Sequence, residues 1–248
     1  MAKGHSKGSS FEREICKQLS LWWTYNKSND VFWRTAGSGA MAKTRSKTGN
    51  RAFGQYGDIQ ATDPQGQRLI DLCSIELKRG YSKNTFADVI DKANNAAQQI
   101  FESFIEQAVL DSYNSNARTW MLITKRDRRE ALVFIPYDFY KKLKNITSLI
   151  RGTYVCLHFE GIDARDYKIF GIPLTEFLET VKPSYIKKLA SEWRAEKRLN
   201  TEKIVVDNLA ADEKSKCILC EEEEAVQYDK MKKIWVCTEC GNEFYDKP

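Results

Sequence analysis

The chain is poor in histidine: His5 and His158 are its only two, so no imidazole pair stands at metal-ligand spacing. No apolar run reaches the roughly 18 residues that a membrane span needs. The opening Met1-Ala-Lys-Gly-His-Ser-Lys-Gly8 has no apolar stretch that could serve as a secretion signal. A cytoplasmic, reducing setting and no membrane partner are therefore expected. Seven cysteines make an odd number, and four of them crowd the last 32 residues. That pattern argues against a disulfide framework and for metal ligation. Cys16, Cys73 and Cys156 sit in apolar surroundings and are expected to be inert core, as is His158.

Charge is present but unevenly spread. The chain carries a formal +5. From Ala211 onward six Lys face ten Asp and Glu, a net of −4, which leaves +9 for residues 1–210. A basic body of this kind suits a polyanionic partner. A length of 248 residues allows one or two domains with ample core.

The stretch around which the chain is organised runs from Gly57-Asp58-Ile59 to Ser74-Ile75-Glu76-Leu77-Lys78. Asp63-Pro64-Gln65-Gly66 reads as a turn between two extended runs, so a β-hairpin is expected, its second strand running from Arg68 to Leu77. Alternation along that strand puts Glu76 and Lys78 on one face and Leu77 on the other. A register that brings Asp58 alongside would gather two carboxylates and an ammonium. Crowded carboxylates repel unless a cation neutralises them. Mg²⁺ accepts one or two carboxylates with water and phosphate, and a neighbouring lysine can hold or deprotonate the attacking water. Such a group suits the cutting of phosphodiesters. The plain alternative is an edge-strand salt bridge, although this is the chain's only Glu-x-Lys.

Before this stretch, residues 1–8 are polar and expected to be disordered, and Ser9-Ser10-Phe11-Glu12 matches a helix capping box. Phe11, Ile15, Leu19 and Trp22 recur at helical spacing, and Glu12 falls inside the apolar arc they define. A carboxylate on that stripe is either a cap or a third acid aimed at Asp58 and Glu76. Val31 to Thr35 reads as a strand. Residues 37–56 hold Lys43, Arg45, Lys47 and Arg51 among small polar residues, which reads as a basic loop placed to meet nucleic acid.

After it, Phe86 to Ile105 marks one long amphipathic helix. Thr119 to Thr124 and Ala131 to Ile135 read as a second hairpin with a cationic tip, Lys125 to Arg129. Strands at Tyr154–Phe159 and Tyr167–Phe170 follow, with helices at Tyr137–Leu143, Pro173–Val181 and Ser184–Leu199. Residues 200–214 read as a linker. Cys217-x2-Cys220-x16-Cys237-x2-Cys240 then has the spacing of a tetrahedral Zn²⁺ site, a zinc ribbon over 215–248 whose intervening Ala-Val-Gln-Tyr and Lys-Ile-Trp-Val runs are strands. So short a module buries little, so the metal would supply most of its folding energy. Ribbons often bind nucleic acid, but Glu221 to Glu224 make this one locally acidic, so nucleic-acid contact, protein docking and a purely structural role all stay open.

Taken in order, Lys7-Gly8-Ser9-Ser10-Phe11-Glu12-Arg13-Glu14, Arg34-Thr35-Ala36-Gly37-Ser38, Asp58 and Glu76-Leu77-Lys78 resemble the archaeal Holliday-junction resolvases of the PD-(D/E)XK nuclease superfamily. The Gly-Asp-Ile and Ser-Ile-Glu-Leu-Lys-Arg-Gly-Tyr segments also resemble phage-associated endonucleases. The likeness, carried by motifs over roughly residues 7–124, implies an α/β fold, a restriction-endonuclease-like mixed β-sheet flanked by helices, in a nuclease domain expected over 9–199 with a C-terminal helical extension. It implies cutting of DNA with Mg²⁺ or Mn²⁺, and often a homodimer. By position it makes Glu12, Asp58, Glu76 and Lys78 the catalytic set. Asp58, Glu76 and the Leu77 carbonyl would take the metal, and Lys78 the attacking water. Arg13, Arg34 and Ser38, with Lys43 and Arg45 of the basic loop, would meet substrate phosphates. The 23 residues between Arg34 and Asp58 depart from the archaeal pattern, so duplex and branched DNA both stay open as substrates. A DNA-binding or docking protein that keeps a nuclease fold without catalysis is the reading from another class.

Overall fold

Helix α1 runs Lys3–Trp23 in the computed structural model, which describes residues 3–35, 57–93, 96–146, 153–161, 166–196, 227–229 and 234–236. Its buried stripe is Phe11, Ile15, Cys16, Leu19 and Trp23. The helix starts six residues ahead of Ser9, and residues 3–8, expected to be disordered, form its first turns. Once a packed face nucleates a helix, each further residue adds a hydrogen bond at low cost. Ser9 and Glu12 therefore lie inside the helix, and the capping box is not its start.

Strand β1, Phe32–Arg34, pairs antiparallel with β2, Ile59–Ala61, Arg34 opposite Ile59. The Ser20 hydroxyl ties α1 to β1: it accepts from the Phe32 N–H at 2.9 Å and donates to the Cys16 carbonyl at 2.8 Å. The hairpin expected from β2 onward is not formed. The turn is real, with the Asp63 carboxylate accepting from the Gln65 N–H at 2.8 Å, but it opens a 3₁₀ turn, Pro64–Gly66, and helix α2, Gln67–Leu72. Leu69 and Leu72 are buried three residues apart, a helical period misread as part of a strand. Strand β3 is Cys73–Arg79.

The long helix expected after β3 is two: α3, Ala87–Ile90, and α4, Ile100–Asn114. Glu102, 1% exposed, explains the fresh start. It accepts from the Gln99 N–H at 2.7 Å and from Lys92 Nζ at 2.6 Å, and a buried carboxylate requires such partners. Then come β4, Thr119–Lys125, β5, Ala131–Pro136, α5, Tyr137–Ile146, β6, Val155–Glu160, β7, Asp166–Pro173, and α6, Leu174–Thr180, with α7 over 183–196.

The central sheet has the order β3-β4-β5-β7-β6, with β3 and β4 parallel and the other pairs antiparallel. The β4–β5 hairpin matches its sequence reading. Both faces of the sheet are covered. Ile75, Leu77, Met121 and Ile123 pack toward α1, while Trp120, Leu122 and Phe134 pack with Phe101 and Ile105 of α4. That two-sided burial is why β4 reads as one continuous apolar run. Edge strand β6 corrects two expectations. Leu157 is buried, but Cys156 and His158 alternate to solvent, and His158 Nε2 lies 2.9 Å from Asp166 Oδ1.

The chain divides into two units, Met1–Trp193 and Arg194–Pro248. In the second, β8, Gln227–Asp229, pairs antiparallel with β9, Ile234–Val236. Cys217, Cys220, Cys237 and Cys240 lie outside the described residues, as do Ser38, Lys43 and Arg45. Among the described residues no helix is long and apolar enough to cross a membrane.

Candidate active site

The free edge of β3 positions the site. Gly57 has φ +78°, and a Cβ there would meet the Ile75 carbonyl and Ser74 Oγ at 3.0 Å. Only glycine fits so close to the strand in that conformation. It sets the Asp58 N–H on the Ile75 carbonyl at 2.8 Å, while the Asp58 carbonyl accepts from the Thr35 N–H at 2.9 Å. Asp58 Oδ2 then accepts from the Leu77 N–H at 2.8 Å. Within a strand the N–H and C=O of one residue face the same edge, so the Leu77 carbonyl shares the edge that Asp58 occupies.

Alternation sends Glu76 and Lys78 toward α4. Lys78 Nζ donates to Glu76 Oε1 at 2.6 Å and to Gln107 Oε1 at 2.9 Å. Gln107 Nε2 donates to the same Glu76 oxygen at 2.7 Å, which closes a three-membered ring of contacts. Asp111, one helical turn on from Gln107, stands beside both and interacts with the Glu76 and Gln107 side chains. Glu12 arrives from α1. Its Oε2 lies 3.1 Å from Arg34 Nε, yet the N–H is not aimed at it, so this buried oxygen has no hydrogen-bond donor among the described residues. Arg13, beside it, is exposed.

Electrostatics mark the group as short of positive charge. Burial first, then the Asp58 charge, pushes the Glu76 carboxyl up, against the pull of Lys78. Burial and Asp58 likewise raise Glu12, against Arg34 and Arg13. Burial raises Asp111 as well. Burial works to lower Lys78, but the Glu76 and Asp58 charges outweigh it, so its pKa ends above the ordinary value and the amine is an ammonium. At rest it is a hydrogen-bond donor and not a base.

Glu12, Asp58, Glu76, Lys78 and Arg34, all named from sequence, thus meet across α1, β1, β3 and the residue that leads into β2. Two further members were not read from the sequence, Gln107 and Asp111. Their signal was a polar pair four residues apart beside the apolar Ile105 and Ala108.

The donor set fits a hard divalent cation. It offers carboxylate and carbonyl oxygens, one of them a buried oxygen without a donor, and three carboxyls whose raised pKa values a cation would relieve. Among the described residues no group of three or more Asp, Glu, His or Cys side chains stands close enough together to hold a metal ion by itself. Mg²⁺ needs none, because it keeps much of its water.

The family described as phage putative PDDEXK endonuclease has a model that matches residues 3–188. No curated protein and no solved structure matches the chain.

Proposed function

This chain belongs to the phage putative PDDEXK endonuclease family, and on that premise we propose that it is a Mg²⁺-dependent endodeoxyribonuclease. The observation that carries the reading is the meeting of Glu12, Asp58 and Glu76 with Lys78 at one sheet edge. A protein that only binds DNA gains nothing from crowding carboxylates where phosphate must sit.

Asp58, Glu76 and the Leu77 carbonyl would hold Mg²⁺ or Mn²⁺, with Glu12 orienting a second ion or its water. A divalent cation held there would supply charge to neutralise the phosphate and to acidify a bound water. Lys78 donates to the attacking water and to the phosphate oxygen where charge develops. Gln107 keeps the Lys78 ammonium and the Glu76 carboxylate in register. Arg13 and Arg34 hold neighbouring phosphates, and Arg34 is held in turn by Glu12. Attack in line leaves 3′-hydroxyl and 5′-phosphate ends.

The test is strand scission with and without Mg²⁺. Asp58→Ala should abolish it, and Lys78→Ala should slow it by about 10²–10⁴-fold, the scale of a positioned acid–base group. A Lys78→Ala protein that cuts at the wild-type rate removes the proposal. A four-way junction set against linear duplex of the same sequence decides whether the cut is junction-selective. Symmetric paired nicks would show two sites acting as a dimer. The four C-terminal cysteines are read as a structural Zn²⁺ ribbon, suited to docking a protein.

A further inference from the structure

Beside the candidate site a cavity of about 280 Å³ opens between β3, α4 and the β4–β5 turn. Its floor is aromatic: Phe101 and Phe134 meet edge-on at 5.0 Å, and Phe86 lies against both. At its mouth Tyr81, 45% exposed, stands edge-on to Phe104 at 4.8 Å. Arg126 and Arg129, from the cationic turn, line the same cavity, and among the described residues neither is paired with a carboxylate. The side chains of Asn84 and Thr124 also line it and have no hydrogen-bond partner among the described residues. Lys78 belongs to both the cavity and the candidate site, its Nζ 5.4 Å from the centre of the Phe104 ring.

These features describe one kind of ligand. Aromatic rings take a flat ring by stacking, and an amide with a hydroxyl takes its polar edge. Two unpaired guanidiniums take the phosphates on either side. The size stands near the lower end of ligand pockets, about 300–1,000 Å³, too small for a base pair with its backbone. We propose that this cavity receives one unpaired nucleobase of the DNA strand whose phosphate lies at Lys78. The inference rests on the nuclease reading for the presence of DNA, and on the cavity alone for the base. It makes the enzyme selective for DNA with an unpaired nucleotide next to the cut.

The experiment uses the full chain in EDTA, with a fluorescent five-nucleotide deoxyadenylate strand and the same strand built from abasic sugars. Wild type should bind the base-bearing strand about 5- to 100-fold more tightly, the range that base–aromatic stacking supplies. Tyr81→Ala, which removes the exposed ring, and Asn84→Trp, which fills the cavity, should each lose most of that preference while binding the abasic strand as before. A duplex with one unpaired adenine should likewise outbind the fully paired duplex in wild type alone. Equal affinity for the two strands in wild type, or a preference kept by both variants, overturns the proposal. Scission in Mg²⁺ without base preference sinks the pocket alone. Base preference without scission sinks the nuclease reading and leaves the pocket standing.

Discussion

The Leu77 N–H is held by Asp58 Oδ2 at 2.8 Å, so the aspartate of one segment is clamped by the backbone of the Glu-x-Lys strand itself. One Asp58 oxygen is thereby fixed, and in the proposed site the other would face the cation. Two substitutions separate these tasks. Asp58→Asn keeps an acceptor for the Leu77 N–H and removes the charge, whereas Asp58→Ala removes both. Both should cut at least about 10²–10³-fold more slowly, the scale for loss of a preorganised electrostatic group. Only the alanine variant should also lose stability, by about 1–3 kcal/mol, because it strands a buried N–H. Scission rates and urea midpoints on the two proteins check this, and an Asp58→Asn enzyme of full activity would reject the charge role.

Gln107 touches both Lys78 and Glu76 and carries no charge of its own. It is a positioning residue. Gln107→Ala should slow scission by about 10–100-fold, as loss of an outer-shell partner does at a metal site, or raise the Mg²⁺ concentration for half-maximal rate by a similar factor. Gln107→Glu restores reach but adds a like charge beside Glu76, so it should need more Mg²⁺ and reach half-maximal rate at higher pH. A merely structural glutamine would leave the Mg²⁺ titration and the pH profile unmoved.

The parts legible in the sequence were those with a local signal. The apolar arc of α1 singled out Glu12, and strand alternation placed Glu76 and Lys78 on one face. The β4–β5 hairpin showed as two apolar runs around a charged turn. What failed was pairing. Nothing near Arg68 says that β2 pairs back to β1 or that β3 pairs with β4, since those partners are set by tertiary packing. Gln107 and Asp111 enter the site from 31 and more residues beyond Glu76, across a helix whose start was misjudged. The outward places of Cys156 and His158 follow from strict alternation with Val155, Leu157 and Phe159, a local pattern that outweighs their apolar neighbours in the chain.

Stability in the absence of divalent cation should fall as pH rises. The Glu76 carboxyl, ordinarily near 4.5, is pushed up to about 8 in the fold. Between those values the native state holds a proton that the unfolded chain has lost. The stability tied to that proton is complete below about 4.5 and is lost as pH climbs through about 8, then levels. Glu12 and Asp111, raised too, add the same sign, and Lys78 acts only above 10.5. The loss should be on the order of a few kcal/mol, read as a falling urea midpoint in EDTA. Glu76→Gln should flatten the profile. A midpoint that rises with pH would contradict the buried, charge-crowded site. Scission should gain over the same window, because the proton and the cation compete for one carboxylate.

The second unit poses a different problem of stability. Its described strands, Gln227–Asp229 and Ile234–Val236, are three residues each, and an isolated two-stranded hairpin is marginal in water. The two Cys-x2-Cys pairs flank it in sequence, and on the proposed ribbon a bound metal would supply the missing free energy. Purified protein should therefore carry about one Zn²⁺ per chain by elemental analysis. Cys220→Ser should lower that content and open the segment after Arg194 to protease while the Met1–Trp193 unit keeps its urea midpoint. DNA affinity in that variant should stay within about twofold of wild type, because Glu221 to Glu224 repel phosphate and four thiolates add further negative charge around the ion. A large loss of DNA binding on Cys220→Ser would instead make the ribbon part of the DNA surface, and a zinc-free, protease-resistant segment would remove the metal from its fold.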